Sequence, residues 1–180
     1  LLKVFKETGI IEDTWKAHYS VAGRTDKGVH STANVISFIT DEEIYINKLN
    51  GLLPDDIKIV AEARVPYSFK VRFPQTRTYT YIQPIDPFYG ESIDIDAMRE
   101  AINLFIGEHN FRNFSKRNEK NPNREITHVD LKCVDDVLVF TIEGKSFLWN
   151  MVRKMVKALL HVGYHELTVD DIEELLQPKE

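Results

Sequence analysis

The order of apolar and polar positions divides the chain into short strand-like runs and amphipathic helices. Leu1–Glu7 has the pattern of the tail of an amphipathic helix, with no N-cap residue ahead of it. Ala17–Gly23 and Asn34–Thr40 read as short strands around a glycine-flanked turn. Ile44, Ile46, Leu49, Leu52 and Leu53 fit a helical period better than a strand period, which predicts a helix over Glu42–Leu53 ending at Pro54. Ile57, Ile59, Ala61, Ala63 and Val65 alternate with polar residues and predict a half-buried strand over Ile57–Val65. Thr76–Gln83 is β-rich, with Tyr79 and Tyr81 on the face opposite Thr78 and Thr80.

A Pro/Gly-rich break over Pro84–Gly90 marks the domain boundary, giving halves 1–83 and 84–180. Beyond it, Ile95, Met98, Ala101, Ile102 and Phe105 line one face of a helix over Asp94–Gly107. Lys116–Arg124 is polar and asparagine-rich and reads as a loop. Glu125–Val134 and Val137–Glu143 read as strands of a hairpin turning at Asp135 and Asp136. A long helix is expected over Ser146–Val162 and a short one over Thr168–Gln177, with Asp170 and Asp171 in the first turn of the latter, where the helix dipole favours acids. The alternation of strands and helices in both halves gives an α+β or mixed class with two small units side by side. Both ends look ragged: Leu1 opens inside a helix and Pro178–Glu180 follow one closely, so further sequence is expected at each end.

Composition narrows the classes. With 43% hydrophobic residues, the 180-residue chain can build one full core or two small ones. The net charge of −5 is concentrated at the end, where residues 166–180 hold six acids and one base; the rest is neutral overall. A histone-like basic protein is excluded, whereas a nucleic-acid enzyme with a local basic groove is not. No apolar run approaches the ~18 residues of a membrane span, and no secretory signal is seen. The single cysteine, Cys133, excludes an intrachain disulfide and fits a reducing cytoplasm.

The segment Gly23–Ser31 reads Gly-Arg-Thr-Asp-Lys-Gly-Val-His-Ser. Its glycines are spaced as in a phosphate-binding loop, but Val29 and His30 stand where that motif needs Lys and Ser/Thr. Asp26 and His30 are four apart without a further ligand cluster nearby, so no metal site is expected. What remains is one acid, Asp26, between Arg24 and Lys27. Flanking cations favour an ionised carboxylate, which can serve as nucleophile or base. On residue chemistry alone an ordinary solvated Asp-Lys-Gly turn accounts for the segment as well, and is the commoner outcome.

This segment closely resembles the G-R-T-D-x-G-V-H signature of the TruA-type tRNA pseudouridine synthases. Four further segments are similar to the family's motifs in the same order: Leu49–Ile57 (N-x-L-P-x-D-I), Phe69–Phe73 followed by Thr76–Tyr81 (F-x-x-R-F and R-x-Y-x-Y), Gly107–Lys116 (G-x-H-D-F-x-x-F) and Phe147–Arg153 (F-L-x-x-M-V-R). Lys70 stands where histidine is common and Asn110 where aspartate is, and the family's opening Y-D-G strand and a closing strand are missing. The resemblance implies two ferredoxin-like (RRM-like) α/β halves joined into an extended, mostly antiparallel sheet, with helices on one face and a central cleft. It further implies a tRNA partner with the anticodon stem-loop as target, a homodimer, a cytoplasmic enzyme and no cofactor.

Pseudouridine formation breaks the N1–C1′ bond of a uridine, turns the base and rejoins it through C5. Mass and redox state are unchanged, so no metal or redox cofactor is required. The target base must be flipped out of its stack. The resemblance makes Asp26 the catalytic carboxylate, with attack at C6, attack at C1′ and proton abstraction from C2′ all open to it. It makes Tyr79 the ring that stacks on the uracil, though a strand tyrosine is also an ordinary core residue. It places Arg153 beside Asp26 to hold it ionised, with Arg24 either sharing that task or contacting the RNA backbone. RNA-binding candidates are Arg72 and Arg77 around Pro74, the loop cations Lys116, Arg117 and Lys120 with Arg112 and Arg124 beside them, and Lys154 and Lys157 on the polar stripe Asn150, Arg153, Lys154, Lys157, His161. A non-catalytic RNA-binding module shares the cations without needing Asp26. A glycoside hydrolase would want a second acid, and none sits in a comparable motif.

Overall fold

A computed structural model describes residues 1–85, 93–118 and 120–177. The chain is mixed α+β with antiparallel sheets, and it forms two compact units, Leu1–Pro74 and Gln75–Glu180. The division falls ahead of the boundary expected at 83/84. Arg77–Pro84 is a strand of the second unit, paired along its whole length with Val137–Gly144. Most of the Pro84–Gly90 break lies outside the described residues.

The first unit has little regular structure. Helix α1 (Leu2–Glu7) buries Val4 and Phe5, and Phe5 packs on Phe38 with ring centroids 5.1 Å apart. Strands β1 (Ser20–Val21) and β2 (Ile36–Ser37) pair antiparallel, so the two strand-like runs do meet across the glycine-flanked turn. Helix α2 (Ile46–Asn50) is shorter than expected over Glu42–Leu53, and its period holds in part: Leu49 and Leu53 enter the core with Val4, Phe5, Ile10, Ile11 and Ala17, whereas Leu52 stays 54% exposed.

The strand expected over Ile57–Val65 is absent. Ile57, Val60 and Val65 are 39, 78 and 48% exposed, and no described segment pairs with the stretch. Alternation defines two faces, but a strand also needs a neighbour to bond with. Ile57 donates its N–H to the Pro54 carbonyl at 3.0 Å in a turn, and Ile59 finds a substitute partner. The Asn50 side chain donates to its carbonyl at 2.9 Å and accepts from its N–H at 2.8 Å, imitating a strand partner for one residue.

The second unit is a four-stranded antiparallel sheet in the order β3-β6-β5-β4, made of β3 (Arg77–Pro84), β4 (Gly107–Asn110), β5 (Asn123–Val134) and β6 (Val137–Gly144). The β5–β6 hairpin turns where expected, with Asp135 at φ +52°. Cross-strand partners share a face, so Tyr79, Ile142 and Val129 form one row and Tyr81, Phe140 and Leu131 the next. Helices α3 (Ile95–Asn103) and α4 (Met151–Gly163) cover this face: α3 packs on β5 and α4, and α4 on β3. Tyr81 and Cys133 pack half-buried against the same core. Asp94 caps α3 by accepting from the Ala97 N–H. Thr168 and Asp171 close a capping box on α5 (Val169–Leu176), and the Thr168 hydrogen bonds hold the Asp171 carboxyl below its ordinary range.

Gly144 stands where three strands converge, opposite Arg77 on β3 and Ile126 on β5, beside the register shift between Ile126 and His128. A Cβ there would lie 2.6 Å from the Glu125 carbonyl oxygen and 3.2 Å from Ile126 Cδ1. A backbone atom cannot yield as a side chain can, so Gly144→Ala is expected to destabilise the second unit by about 1–3 kcal/mol. Urea unfolding followed by circular dichroism checks this; an unchanged midpoint would show that the ladder relaxes freely at this point.

Candidate active site and nucleic-acid interface

In the first unit, Asp26 sits on a loop whose ends are fastened. The Ala22 N–H donates to the Val35 carbonyl at 2.8 Å, extending the β1–β2 ladder by one bond. Asn34 then bridges the neck: its Nδ2 donates to the Gly23 carbonyl at 2.7 Å, while its Oδ1 accepts from the Val35 N–H at 3.0 Å. Within the loop, the Val29 N–H donates to the Asp26 carbonyl at 3.1 Å, closing a tight turn over Lys27 and Gly28. Gly28 takes φ +80°, a conformation that disfavours side chains with a Cβ. Arg24, Asp26 and Lys27 are all exposed, and within this unit Asp26 makes no ion pair among the described residues, Arg24 and Lys27 included. The loop therefore presents a carboxylate on a fixed bend rather than burying it in a charge cluster. Arg72, near the end of the same unit, is exposed.

In the second unit, β3 carries Tyr79 on the helix-covered face. Its ring meets Phe147 edge-on at 4.8 Å and stays 39% exposed, so it is propped from one side and accessible from the other. Arg77, at the start of β3, donates its guanidinium to the Lys145 carbonyl at 2.6 Å. The Lys145 ammonium donates to Glu125 at 2.6 Å, which raises its pKa.

The long helix starts later than Ser146 because Asn150 takes φ +62°, a left-handed conformation that a helix cannot continue through. Its polar stripe divides by use. Lys154 donates Nζ to the carbonyls of Ser115 at 2.6 Å and Asn113 at 3.1 Å, so it braces the chain after the 3₁₀ turn Arg112–Phe114. His161 pairs with Glu166. Arg153 and Lys157 are exposed, and their side chains make no hydrogen bond or ion pair with any described residue of the second unit.

The basic loop is held at its start. The Lys116 N–H donates to the Trp149 carbonyl at 3.0 Å, and the Arg117 N–H to the Ser115 hydroxyl at 3.1 Å. The Lys116 ammonium lies 4.8 Å and the Arg117 guanidinium 4.1 Å from the centre of the Trp149 ring. Lys120 and Arg112 are exposed; Arg124 folds back onto the carbonyls of Asn121 and Asn123. Glu119, the one acid of this stretch, lies outside the described residues. Among the described residues, no cluster of three or more His, Cys, Asp or Glu could hold a metal ion, and no helix is long and apolar enough to cross a membrane.

Three participants have no role in the sequence pattern. Asn34 stands there as the start of a strand, though an asparagine at a loop exit is a common source of side-chain bonds to backbone. Phe147 and Trp149 lie in the Phe147–Arg153 motif without a task; their signal is two aromatics just before a cationic helix face.

Comparison with known proteins gives one answer. A family model described as tRNA pseudouridine synthase matches residues 101–180. The tRNA pseudouridine synthase A of Methanosphaera stadtmanae is 73% identical over 180 residues, covering 100% of this chain and 66% of the relative. That of Methanothermobacter thermautotrophicus is 47% identical over 176 residues, covering 98% and 62%. That of Methanococcoides burtonii is 39% identical over 191 residues, covering 99% and 68%. The chain belongs to the tRNA pseudouridine synthase A family, and it spans 62–68% of the length of these three curated relatives.

Proposed function

We propose that this chain isomerises uridine to pseudouridine in the tRNA anticodon stem-loop, with Asp26 as the catalytic carboxylate. The observation that carries the reading is the exposed Asp26 on a bend whose neck is clamped by Asn34, in a chain matched over its full length by tRNA pseudouridine synthases. A fixed, accessible acid suits a base that is brought to it from outside the protein.

In this reading the first unit supplies Asp26 and Arg24, and the second supplies Tyr79 to stack on the extruded uracil and Arg153 to keep Asp26 ionised. Arg72, Arg77, Lys116, Arg117, Lys120 and Lys157 face phosphates, while Lys154 acts through the loop that it braces. Each unit corresponds to one of the ferredoxin-like halves that the family resemblance implies. A homodimer grips one tRNA in the cytoplasm. The reaction balances without a co-reactant: the N1–C1′ bond breaks, the C5–C1′ bond forms, C5 loses a proton and N1 gains one.

The test is to incubate this chain with an unmodified tRNA transcript and map pseudouridine by carbodiimide adducts and primer stops. New pseudouridine confined to the anticodon stem-loop is the expected result. Binding without any isomerisation would replace the proposal with an RNA-binding module, and release of free uracil with a hydrolase.

A further inference from the structure

The second unit holds a cluster centred on Trp149, a ring to which the proposed function gives no task. Trp149 keeps 38% of its surface exposed just ahead of α4, where a large ring would ordinarily be buried. Two cations lie over it, Lys116 and Arg117, and its own carbonyl fixes the Lys116 backbone. Lys154 on α4 donates to the carbonyl of the buried Ser115, whose hydroxyl accepts from the Arg117 N–H, tying the loop to the helix. Two long side chains that would otherwise sample many rotamers are thereby gathered on one ring. Neither Lys116 nor Arg117 forms an ion pair with a described acid.

We infer that Trp149 is the organising ring of an RNA-phosphate site, holding the Lys116 ammonium and the Arg117 guanidinium ready for the backbone of a bound tRNA. Cation–π contact favours each head group over the ring while leaving its N–H donors turned outward. A guanidinium offers a phosphate a two-pronged contact, and an ammonium beside it adds a point charge. Ordering both before binding removes part of the entropy that phosphate capture would otherwise cost. Trp149 is a positioning residue in this scheme: it acts through the two cations and reads no base.

The inference rests on the proposed tRNA reading, and the experiment separates the two. The dissociation constant for an unmodified tRNA is measured by fluorescence anisotropy from about 50 to 200 mM salt. Each phosphate neutralised contributes roughly 0.7–0.9 to the slope of log K against log salt. Trp149→Ala is expected to weaken binding several-fold at the low end and to flatten the slope by about one to two such contributions, with Trp149→Phe restoring most of both. The double variant Lys116→Gln/Arg117→Gln keeps the ring and should flatten the slope similarly; adding Trp149→Ala to it should change little further. Full additivity would mean that the ring binds RNA by itself, and it would overturn the inference. So would an unchanged slope in the double variant, which holds even if Trp149→Ala fails to fold. Equal competition by polyglutamate of matched charge would overturn it in favour of an acidic peptide. Absence of tRNA binding by the unsubstituted chain would instead defeat the proposed function.

Discussion

Asp26→Ala is expected to abolish pseudouridine formation, lowering kcat by about 10³-fold or more, while thermal stability and tRNA affinity stay near their starting values. The magnitude follows from removing the group that, in the proposed mechanism, performs covalent or proton-transfer chemistry, for which losses of roughly 10²–10⁴-fold are ordinary. The selectivity follows from the structure. Asp26 is exposed, so its removal opens no cavity, and the turn is closed by its backbone carbonyl, which alanine keeps. The neck bonds at Ala22 and Asn34 do not involve its side chain. Asp26→Asn refines the test, because it preserves shape and removes the charge. If Asp26→Asn isomerises at an undiminished rate, the carboxylate has no part in the reaction. If Asp26→Ala loses stability together with activity, the residue is structural.

How far the sequence sufficed depends on how local each feature is. The β5–β6 hairpin was legible to within a residue or two at its ends, because strand alternation and a two-residue turn are encoded within about twenty positions. Helices α3 and α5 were legible for the same reason, each starting within a residue of the expected place, though α3 ends at Asn103, short of Gly107. Ile57–Val65 was misread because alternation reports the faces of a strand and says nothing about whether a neighbour exists to bond with it. The division between units was misplaced because β3 joins its sheet through Val137–Gly144, more than fifty residues away. The start of α4 was misread because Leu148 continues the apolar period into a turn that Asn150 interrupts.

The site divides along the same line. The bend around Asp26 is written in contiguous residues, Asp26, Lys27 and Gly28. The clamp on it is not, since Asn34 acts eleven residues away on the Gly23 carbonyl. Charge type could be read along α4, but the use of each charge depends on the tertiary partner: Lys154 meets two carbonyls and His161 meets Glu166, while the side chains of Arg153 and Lys157 meet no described partner in the second unit.

Arg153→Ala is the second large effect, an expected fall of about 10²-fold in kcat with KM and the thermal midpoint nearly unchanged. Arg153 is exposed on α4 and is not among the buried residues, Met151, Met155, Leu159 and Val162 included, that anchor the helix, so its truncation is expected to leave the core intact. In the proposed site its guanidinium orients the Asp26 carboxylate, and a misplacement of about 1 Å in a reacting group costs roughly 10²-fold. The split between kcat and KM carries the distinction. Arg153→Lys keeps a cation at the position and is expected to recover part of kcat. Lys157→Ala, one turn along, is expected to weaken tRNA binding modestly, raising KM and leaving kcat near its starting value. If Arg153→Ala behaved like Lys157→Ala, Arg153 would be one more phosphate contact with no part in placing Asp26.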